Sequence, residues 1–307
     1  MSGSSSILPF CPTDTGTNLL TDASYLAASD RTNGNQPGIA SQRLVNKALR
    51  QSSLVAAGVA QWMANRNNTT VGDTASVNQM ETWMNNAITA ATPGRLITIR
   101  IFTSSQTYTP TNSSVNVCVF LVVGGGGAGG GGNVPPTGMI QGGPGGAGGG
   151  ATMGSGSVAT FNGQYMTVGA AGVGQVAGSG TAGGTSSIGS ILSATGGQPG
   201  GLNGPQTAGQ GIISGGGGPG GLGTGGFFNW QGGFGQWATY STNGVVNGGQ
   251  GGFSYFGSGG RWSDMSIGGW SAGVYGAGGG GCALASNTGP TSGGNGGQGV
   301  ILVWEYS

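Results

Sequence analysis

The stretch that decides the fold runs Val117-Cys118-Val119-Phe120-Leu121-Val122-Val123 and passes directly into Gly124-Gly125-Gly126-Gly127-Ala128-Gly129-Gly130-Gly131-Gly132. Up to Val123 the reading is a strand: Val115, Val117, Val119, Leu121 and Val123 alternate with Asn116 and Cys118, the period of two expected of a half-buried strand. Beyond Val123 the side chains stop. Glycine loses more conformational freedom on folding than any other residue. Such a tract is therefore either a flexible linker or an ordered array held by backbone hydrogen bonds. Outward from this point, two more runs alternate in the same way. Ile97, Ile99 and Ile101 alternate with Thr98 and Arg100. Val300, Leu302, Trp304 and Tyr306 alternate with Ile301, Val303 and Glu305. The glycine-rich segment thus leaves one strand at Val123 and re-enters another at Val300, and the terminal strands are expected in one sheet that closes the base of the domain.

The tracts between these strands repeat in threes. Gln141-Gly142-Gly143-Pro144-Gly145-Gly146-Ala147 is one run and Gly217-Gly218-Pro219-Gly220-Gly221-Leu222 another. Asn247-Gly248-Gly249-Gln250-Gly251-Gly252-Phe253 and Gly293-Gly294-Asn295-Gly296-Gly297-Gln298 continue the pattern. A polyproline II helix has three residues per turn and rises about 3.1 Å per residue. A Gly-Gly-X repeat on it leaves two rows of bare backbone, so neighbouring helices approach closely and exchange N–H···O=C bonds. Each such bond is worth roughly 0.5–1.5 kcal/mol net against about 1–2 kcal/mol to order one residue's backbone. A lone glycine helix does not persist on those terms, but a bundle with most groups paired does. Collagen is excluded, because it needs one glycine at every third position without interruption. A flexible linker is the competing reading, opposed by the framing strands and the interspersed aromatics. The expected fold is mixed: a short N-terminal α-helical region, then a polyglycine II-type helical bundle framed by β-strands.

Composition narrows the function. The 307 residues include 75 glycines and only 15 charged residues, with a net charge of +1. Disorder normally accompanies low hydrophobicity and high net charge, and neither is present. The charge balance gives no electrostatic case for nucleic acid or a membrane surface. Val117–Val123, the longest apolar stretch, is too short to span a bilayer, and Met1–Ser6 carries neither the basic nor the apolar part of a secretory signal. Cys11, Cys118 and Cys282 are odd in number and lack metal-site spacing, which argues against a disulfide framework. The expectation is synthesis in a reducing cytoplasm without export.

The charges also divide the chain. Twelve of the 15 lie in residues 1–100, leaving Arg261, Asp264 and Glu305 for the remainder, whereas all but seven of the glycines fall between Gly124 and Gly299. We place a boundary at Thr92-Pro93-Gly94, a helix-stop and turn signal, and expect an extended arm over 1–38, a helical attachment or oligomerisation region over 39–94 and a glycine-rich domain over 95–307. From Ala40 to Asn65, Val45, Ala48, Leu49, Val55, Ala56, Val59 and Met63 follow helical spacing. Gly72-Asp73 offers a break and an N-cap. Val77, Met80, Met84, Ala87 and Ala91 then form an apolar stripe over two heptads. A helical hairpin at an oligomer axis and an ordinary two-helix core both fit.

Twelve of the 23 aromatics lie between Phe227 and Tyr275. These are Phe227, Phe228, Trp230, Phe234, Trp237, Tyr240, Phe253, Tyr255, Phe256, Trp262, Trp270 and Tyr275, accompanied by Arg261 and Asp264. They come in clusters separated by Gly-Gly runs, as loops joining extended helices would. Loops on a rigid scaffold commonly carry binding function, and Trp, Tyr and Arg dominate interface hot spots. All of these except Phe234 are the candidate receptor-binding residues, with Arg261 as the single cationic anchor. The alternative is that the aromatics are core, capping a domain poor in side chains, and that Arg261 and Asp264 bridge each other across a turn.

Catalytic motifs do not survive weighing. Gly-x-Gly-x-x-Gly matches arise from composition alone, and a phosphate loop needs Gly-Lys-Ser/Thr, whereas the single lysine is Lys47 on an expected helix. With no histidine, Ser-His-Asp and Cys-His catalysis and most zinc sites are out. Beyond Phe102 a carboxylate pair for glycoside hydrolysis would have to be Asp264 and Glu305, the latter in a terminal strand, and no Asp-rich calcium loop is present. No enzyme, cofactor or metal is expected. The Asn-x-Ser/Thr sites at Asn68 and Asn112 are incidental.

Two stretches resemble phage tail proteins. Asn46-Lys47-Ala48-Leu49-Arg50-Gln51-Ser52, continuing through Ala60-Gln61-Trp62 to Val71-Gly72-Asp73, is similar to the N-terminal module of many tail-fibre proteins. Phe102, Tyr108-Thr109-Pro110 and Val119–Gly127, closed by Gln298-Gly299-Val300-Ile301-Leu302-Val303-Trp304-Glu305-Tyr306, resemble the glycine-rich C-terminal domains of such fibres. The alternation of glycine tracts with aromatic inserts also resembles the tail-fibre tip adhesins of T-even-like phages, in which a polyglycine II sandwich holds receptor-binding loops. The resemblance implies a virion protein at the tail tip or fibre that recognises a bacterial cell-surface receptor, protein or glycan. It also implies contact with other phage tail proteins through the N-terminal region, a homotrimer, and no membrane insertion. One departure is that the helical module and the adhesin share a chain. The rival readings are a purely structural tail or baseplate component, an ice-binding polyglycine protein (disfavoured by the mixed X positions) and a depolymerase (disfavoured for want of acids).

Overall fold

The computed structural model of the chain describes residues 3–9, 18–33, 41–72, 74–92, 94–209, 212–264 and 266–307. Two compact units emerge, Met1–Pro93 and Gly94–Ser307.

The first unit is helical, with α1 (Asp22–Ala27), α2 (Ser29–Asn33), α3 (Gln42–Asn67) and α4 (Val77–Ala91). Residues 22–33, expected as part of an extended arm, are helical because Thr21 caps α1 by accepting from Ser24 N at 3.2 Å and Asp22 sits in the positive first turn. Further upstream, Ser6 N donates to Val71 O and Val71 N to Ser4 O, both at 3.0 Å. The expected helix onset at Ala40 lies outside the described residues. α3 ends where Asn68 takes the left-handed conformation at φ 48°, which asparagine tolerates.

α3 and α4 pack as a hairpin around Ala60, Met63, Ala64, Val71 and Ala87, flanked by Trp62, Met80 and Trp83. The expected stripe is only partly the buried one. Val55, Val59, Val77 and Met84 are exposed. Ala57, Ala60 and Ala64 instead make a small-residue face that admits the large side chains of α4. The N-cap of α4 is Ser76, accepting from Gln79 N at 3.2 Å, rather than the Gly72-Asp73 pair, of which Asp73 lies outside the described residues.

The second unit contains β1 (Leu96–Phe102), β2 (Gln106–Thr107), β3 (Val117–Val123), β4 (Met139–Gly142), β5 (Ala151–Ser157), the short helix α5 (Val158–Phe161), β6 (Tyr165–Thr167), β7 (Ser186–Ile188), β8 (Leu192–Ala194), β9 (Gln206–Thr207), β10 (Ile212–Ser214), β11 (Gly223–Thr224), β12 (Phe228–Trp230), β13 (Ala238–Tyr240), β14 (Val246–Asn247), β15 (Ala283–Leu284) and β16 (Val300–Tyr306). The main sheet has the order β1-β16-β3-β5-β12, antiparallel throughout, so the three terminal strands do share one sheet. A second sheet, β11-β8-β7-β6-β2, packs on its inner face. Smaller sheets follow the orders β10-β13-β14 and β15-β4-β9. The core between the two large sheets gathers Phe102, Tyr108, Val115, Cys118, Phe120, Val122, Phe161, Met166, Ile188, Leu192, Ile301 and Val303. Val115 belongs to that core but lies before β3, which begins at Val117.

One expectation about β1 is corrected. An irregularity in the pairing between Leu96 and Thr98 shifts the register, and a one-residue slip sends every side chain to the other face. Ile97 packs on the core, whereas Ile99 and Ile101 face outward opposite Trp304 and Leu302. Arg100 and Phe102 take the inward positions. Inside, the fully buried Glu305 carboxylate accepts from Tyr108 Oη at 2.7 Å, from Arg100 Nη1 at 3.1 Å and from Thr111 N at 3.2 Å. Tyr108 Oη also lies 3.1 Å from the Cys118 thiol. Burial raises both the Tyr108 hydroxyl and the Cys118 thiol, keeping both neutral. Cys118 and Cys282 are free and buried; Cys11 lies outside the described residues.

Regular structure recognised between Gly124 and Gly299 consists of antiparallel strands, most of two to four residues, and the helix α5, none of which alternation in the sequence announced; no polyglycine helix bundle stands among these elements. The backbone bonding of the tracts follows a distinct rule. Gly124, Gly127 and Gly130 donate to Gly150, Ala147 and Pro144; Gly125, Ala128 and Gly131 donate to Gly184, Thr181 and Gly178; Gly126, Gly129 and Gly132 donate to Gly297, Gly294 and Thr291. Successive residues thus turn to three different neighbours, and each neighbour is revisited every third residue. Gly143, Gly146 and Gly149 likewise donate to Cys282, Gly279 and Gly276, and Ala147 and Gly150 to Gln198 and Thr195. Residues 121–132 and 140–150 are buried. There is no room for side chains: a Cβ on Gly129 would lie 2.0 Å from Gly280 O, and one on Gly145 2.0 Å from Gln250 O.

Candidate functional site

The segment 227–275 hangs its aromatics on this bonded backbone, and the rings fall into separate groups. Phe228 and Trp230 do not sit in a loop. They lie on β12 at the edge of the main sheet, opposite Met153 and Ala151, with ring centroids 6.1 Å apart. Phe227 precedes them, exposed. Glycine at 225, with φ +88°, makes the turn into this strand close over Ile191 O, where a Cβ would come within 2.1 Å.

Tyr240 is corrected from a contact residue to a core residue. It is 4 % exposed and packs with Ile140, Ala238, Val246 and Ala283. Its hydroxyl accepts from Gly142 N at 2.8 Å. Gly145 and Gly148 donate to Gln236 O and Gly233 O, so the three-residue step would carry Gly142 to Thr239; the phenol takes that N–H instead.

Phe234 and Trp237, 62 % and 57 % exposed, flank a groove of about 460 Å³ whose lining is completed by Gly217, Gly235, Gln236 and Thr239. Its backbone is pinned on both sides, Gln236 N donating to Gln250 O and Gly145 N to Gln236 O, each at 2.8 Å. A second groove of about 630 Å³ is lined by Phe256, Ala272, Gly273, Val274, Tyr275, Gly296, Gly297 and Gln298. Beside it Phe256 meets Tyr255 edge-on at 5.4 Å and Tyr275 at 6.1 Å. Ser254 sets the turn, its Oγ donating to Tyr275 O at 2.6 Å and accepting from Phe256 N at 3.1 Å. The Phe253 ring packs over Gly233, where a Cβ would meet its Cδ1 at 2.4 Å.

The third group is built on Arg261, whose guanidinium lies 4.6 Å over the Trp270 ring. Gly260 N donates to Gly278 O, and Gly280 N to Trp270 O, each at 2.8 Å, so both partners flank one glycine tract. Trp262 and Asp264 are exposed nearby in sequence. Among the described residues the ion pairs are Lys47–Asp22 and Arg100–Glu305, so Arg261 and Asp264 do not bridge each other. A stacked Arg held over Trp keeps its charge and its planar fork available to an acceptor.

The arrangement suits binding. Glu305 is committed to Tyr108, Arg100 and Thr111 inside the sandwich, which removes the second carboxylate from any pair with Asp264. Among the described residues no three His, Cys, Asp or Glu gather as a metal site, and no helix is long and apolar enough to cross a membrane. Gln236 and Thr239 were missed as groove residues, because nothing in the sequence distinguishes a polar residue beside an aromatic cluster from one facing away. A further surface escaped the sequence reading: the outer face of the main sheet carries Ile99, Ile101, Leu302, Trp304, Val117, Phe228 and Trp230, all wholly or partly exposed. Comparison with protein-family models finds no match, and comparison with the curated proteins finds none either.

Proposed function

We propose that the chain is a non-enzymatic bacteriophage tail-fibre or tail-tip adhesin that attaches the virion to a bacterial surface receptor through aromatic groups held on a polyglycine II scaffold. The observation that carries this reading is the three-residue step of the backbone bonds. A helix with three residues per turn presents its N–H groups to three neighbours in rotation, and residues 124–132 do so without a break. Such a lattice has stiffness without side chains, which leaves the aromatics free to face outward. Exposed Trp, Tyr and Arg on a rigid frame bury much area on binding with little ordering cost. The helical unit then serves attachment to other tail proteins, and copies of the chain join as a homotrimer in the virion after synthesis in the host cytoplasm.

The test is binding of the labelled full chain to a panel of intact bacteria, read by flow cytometry. The expected result is capture by some strains, cut at least about tenfold by Trp270→Ala, Arg261→Ala or Trp237→Ala, with unchanged melting temperature. Capture untouched by all three variants would remove the aromatic groups from the mechanism. A second reading, a purely structural tail or baseplate component, is favoured by the exposed apolar sheet face, which is of the kind that protein partners cover. It predicts no capture by any strain.

A further inference from the structure

We infer that the groove between Phe234 and Trp237 binds an uncharged saccharide; this rests on the adhesin reading and narrows it to a ligand class for one of its surfaces. Pyranose rings present apolar C–H faces and a rim of hydroxyls. A site for them needs an exposed aromatic face, uncharged donors and acceptors beside it, and a fixed geometry. The groove supplies each. Phe234 and Trp237 are among the more exposed aromatics of the chain and stand on either side of Gly235 and Gln236. Among the described residues the Trp237 indole N–H, the Gln236 amide and the Thr239 hydroxyl make no side-chain hydrogen bond, and all three residues line the groove. An amide and a hydroxyl both donate and accept, which matches sugar hydroxyls in either orientation.

The floor is opened by glycine. A Cβ on Gly217 would sit 2.4 Å from Gly145 O, and one on neighbouring Gly216 2.5 Å from Trp237 Nε1, so bare backbone lets the indole lie close against the scaffold. Residues on either side are anchored: Ala238 and Tyr240 are buried, and Gln236 is bonded through both its backbone groups. The volume lies within the usual range for small-ligand sites, about 300–1,000 Å³. Among the described residues, none that lines the groove carries a charge. An acidic sugar or a phosphorylated headgroup would lose its hydration there without gaining a cation, and Arg261 is engaged with Trp270 in a different group.

Saturation-transfer NMR on the full chain tests the assignment, with the methyl glycosides of glucose, galactose and mannose and neutral oligosaccharides as probes, and glucuronic acid and sialyllactose as charged comparisons. At least one neutral probe is expected to bind, with transfer strongest on its C–H face. Affinity should fall at least about tenfold in Trp237→Ala, recover in part in Trp237→Phe and hold in Tyr165→Ala, an exposed aromatic of β6 outside the candidate groups. Absence of binding by every neutral probe, equal binding of the charged sugars, or retention of binding in Trp237→Ala would overturn it. Cell capture separates the two ideas. If cells capture the chain through Trp237 but lose capture after protease treatment and no probe binds, the receptor is a protein: the saccharide inference fails and the adhesin stands. If the sugar binds and no cell captures the chain, the adhesin reading fails alone.

Discussion

Gly200 and Gly201 are neighbours in one tract, yet the structure asks different things of them. A Cβ on Gly200 would sit 2.2 Å from Pro144 O and 2.6 Å from Gly130 N, whereas one on Gly201 would meet nothing within 4 Å. Gly200→Ala must therefore push two backbones apart, and overpacking of this kind costs about 1–3 kcal/mol before the Gly200 N to Ala128 O bond at 2.8 Å is disturbed. Gly201→Ala costs nothing sterically and reduces the freedom of the unfolded chain, an effect of about 0.4–1 kcal/mol in its favour. Denaturant melts of the two variants should fall on opposite sides of the parent; equal losses would mean that the packing around this tract is misplaced. Glu305 yields the second prediction at this scale. Burial by itself would raise its carboxyl, but the hydrogen bonds from Thr111, Tyr108 and Arg100 prevail and hold it below its ordinary value of 4.5. A carboxyl lowered in the folded state contributes stability that is complete above about pH 4.5 and is lost as pH falls through the folded value. Asp22 is lowered too, by its hydrogen bond and ion pair with Lys47, so the informative quantity is a difference. Glu305→Gln should lose about 1–3 kcal/mol at neutral pH, and the gap to the parent should narrow on acidification below pH 4.5. A gap independent of pH would show that the carboxylate charge contributes nothing.

At the scale of elements, the triplet runs at 141–147 and 293–298 pointed to a three-residue turn, and the backbone bonds of 124–132 step by three residues, but the elements formed between Gly124 and Gly299 include no polyglycine helix bundle. The strands β3 and β16 were legible from their alternation. Strands of two or three residues such as β9, β11 and β14 were not, since alternation needs at least four or so positions to register. β1 was misread face for face because one irregularity near Leu96 reverses the parity of everything after it. Tyr240 was misread because its burial follows from an N–H of Gly142 that needs an acceptor, a partner 98 residues away in sequence. The α3–α4 hairpin was recognised, but its inner face is set by Ala57, Ala60 and Ala64, and the larger valines that dominate a hydrophobic stripe look outward. The tract also carries a kinetic prediction. The amides of Gly126, Gly127, Gly129 and Gly146 are buried and each bonded at 2.8–2.9 Å, so they should exchange with deuterium only on global unfolding. Thr242 and Asn243, exposed in a turn, should exchange within seconds to minutes. Rapid exchange along 124–132 would identify these tracts as mobile coil and remove the stiffness on which the aromatic groups depend.

For the whole molecule, the proposed homotrimer requires a surface that joins one copy to the next, and two surfaces compete. The sequence pointed to the stripe of α4, of which Val77 and Met84 are exposed, Met80 is half-buried and Ala87 is buried. The outer face of the main sheet is the second: Ile101 is 62 % exposed, Ile99, Val117, Phe228 and Trp230 also stand open, and Leu302 and Trp304 are half-buried, whereas Leu121, Val123, Ala151 and Val300 on the same face are buried. Clustered exposed apolar residues commonly mark contacts with other proteins, and stable interfaces place aromatic and aliphatic residues at a dehydrated centre. The face also includes Phe228 and Trp230, which their place on β12 separates from the aromatics of the grooves. These two rings are then expected to matter for assembly and the groove aromatics for capture. The discriminating experiment compares Ile101→Lys with Met84→Lys by sedimentation velocity. If the sheet face joins the copies, Ile101→Lys places an unpaired ammonium in an apolar contact and raises the dissociation constant by at least about tenfold, while Met84→Lys leaves assembly intact. The converse pattern would return the oligomer axis to the helices and free the sheet face for a different tail protein. A chain that is monomeric in all three forms would end the trimer proposal outright, leaving the binding groups to act singly.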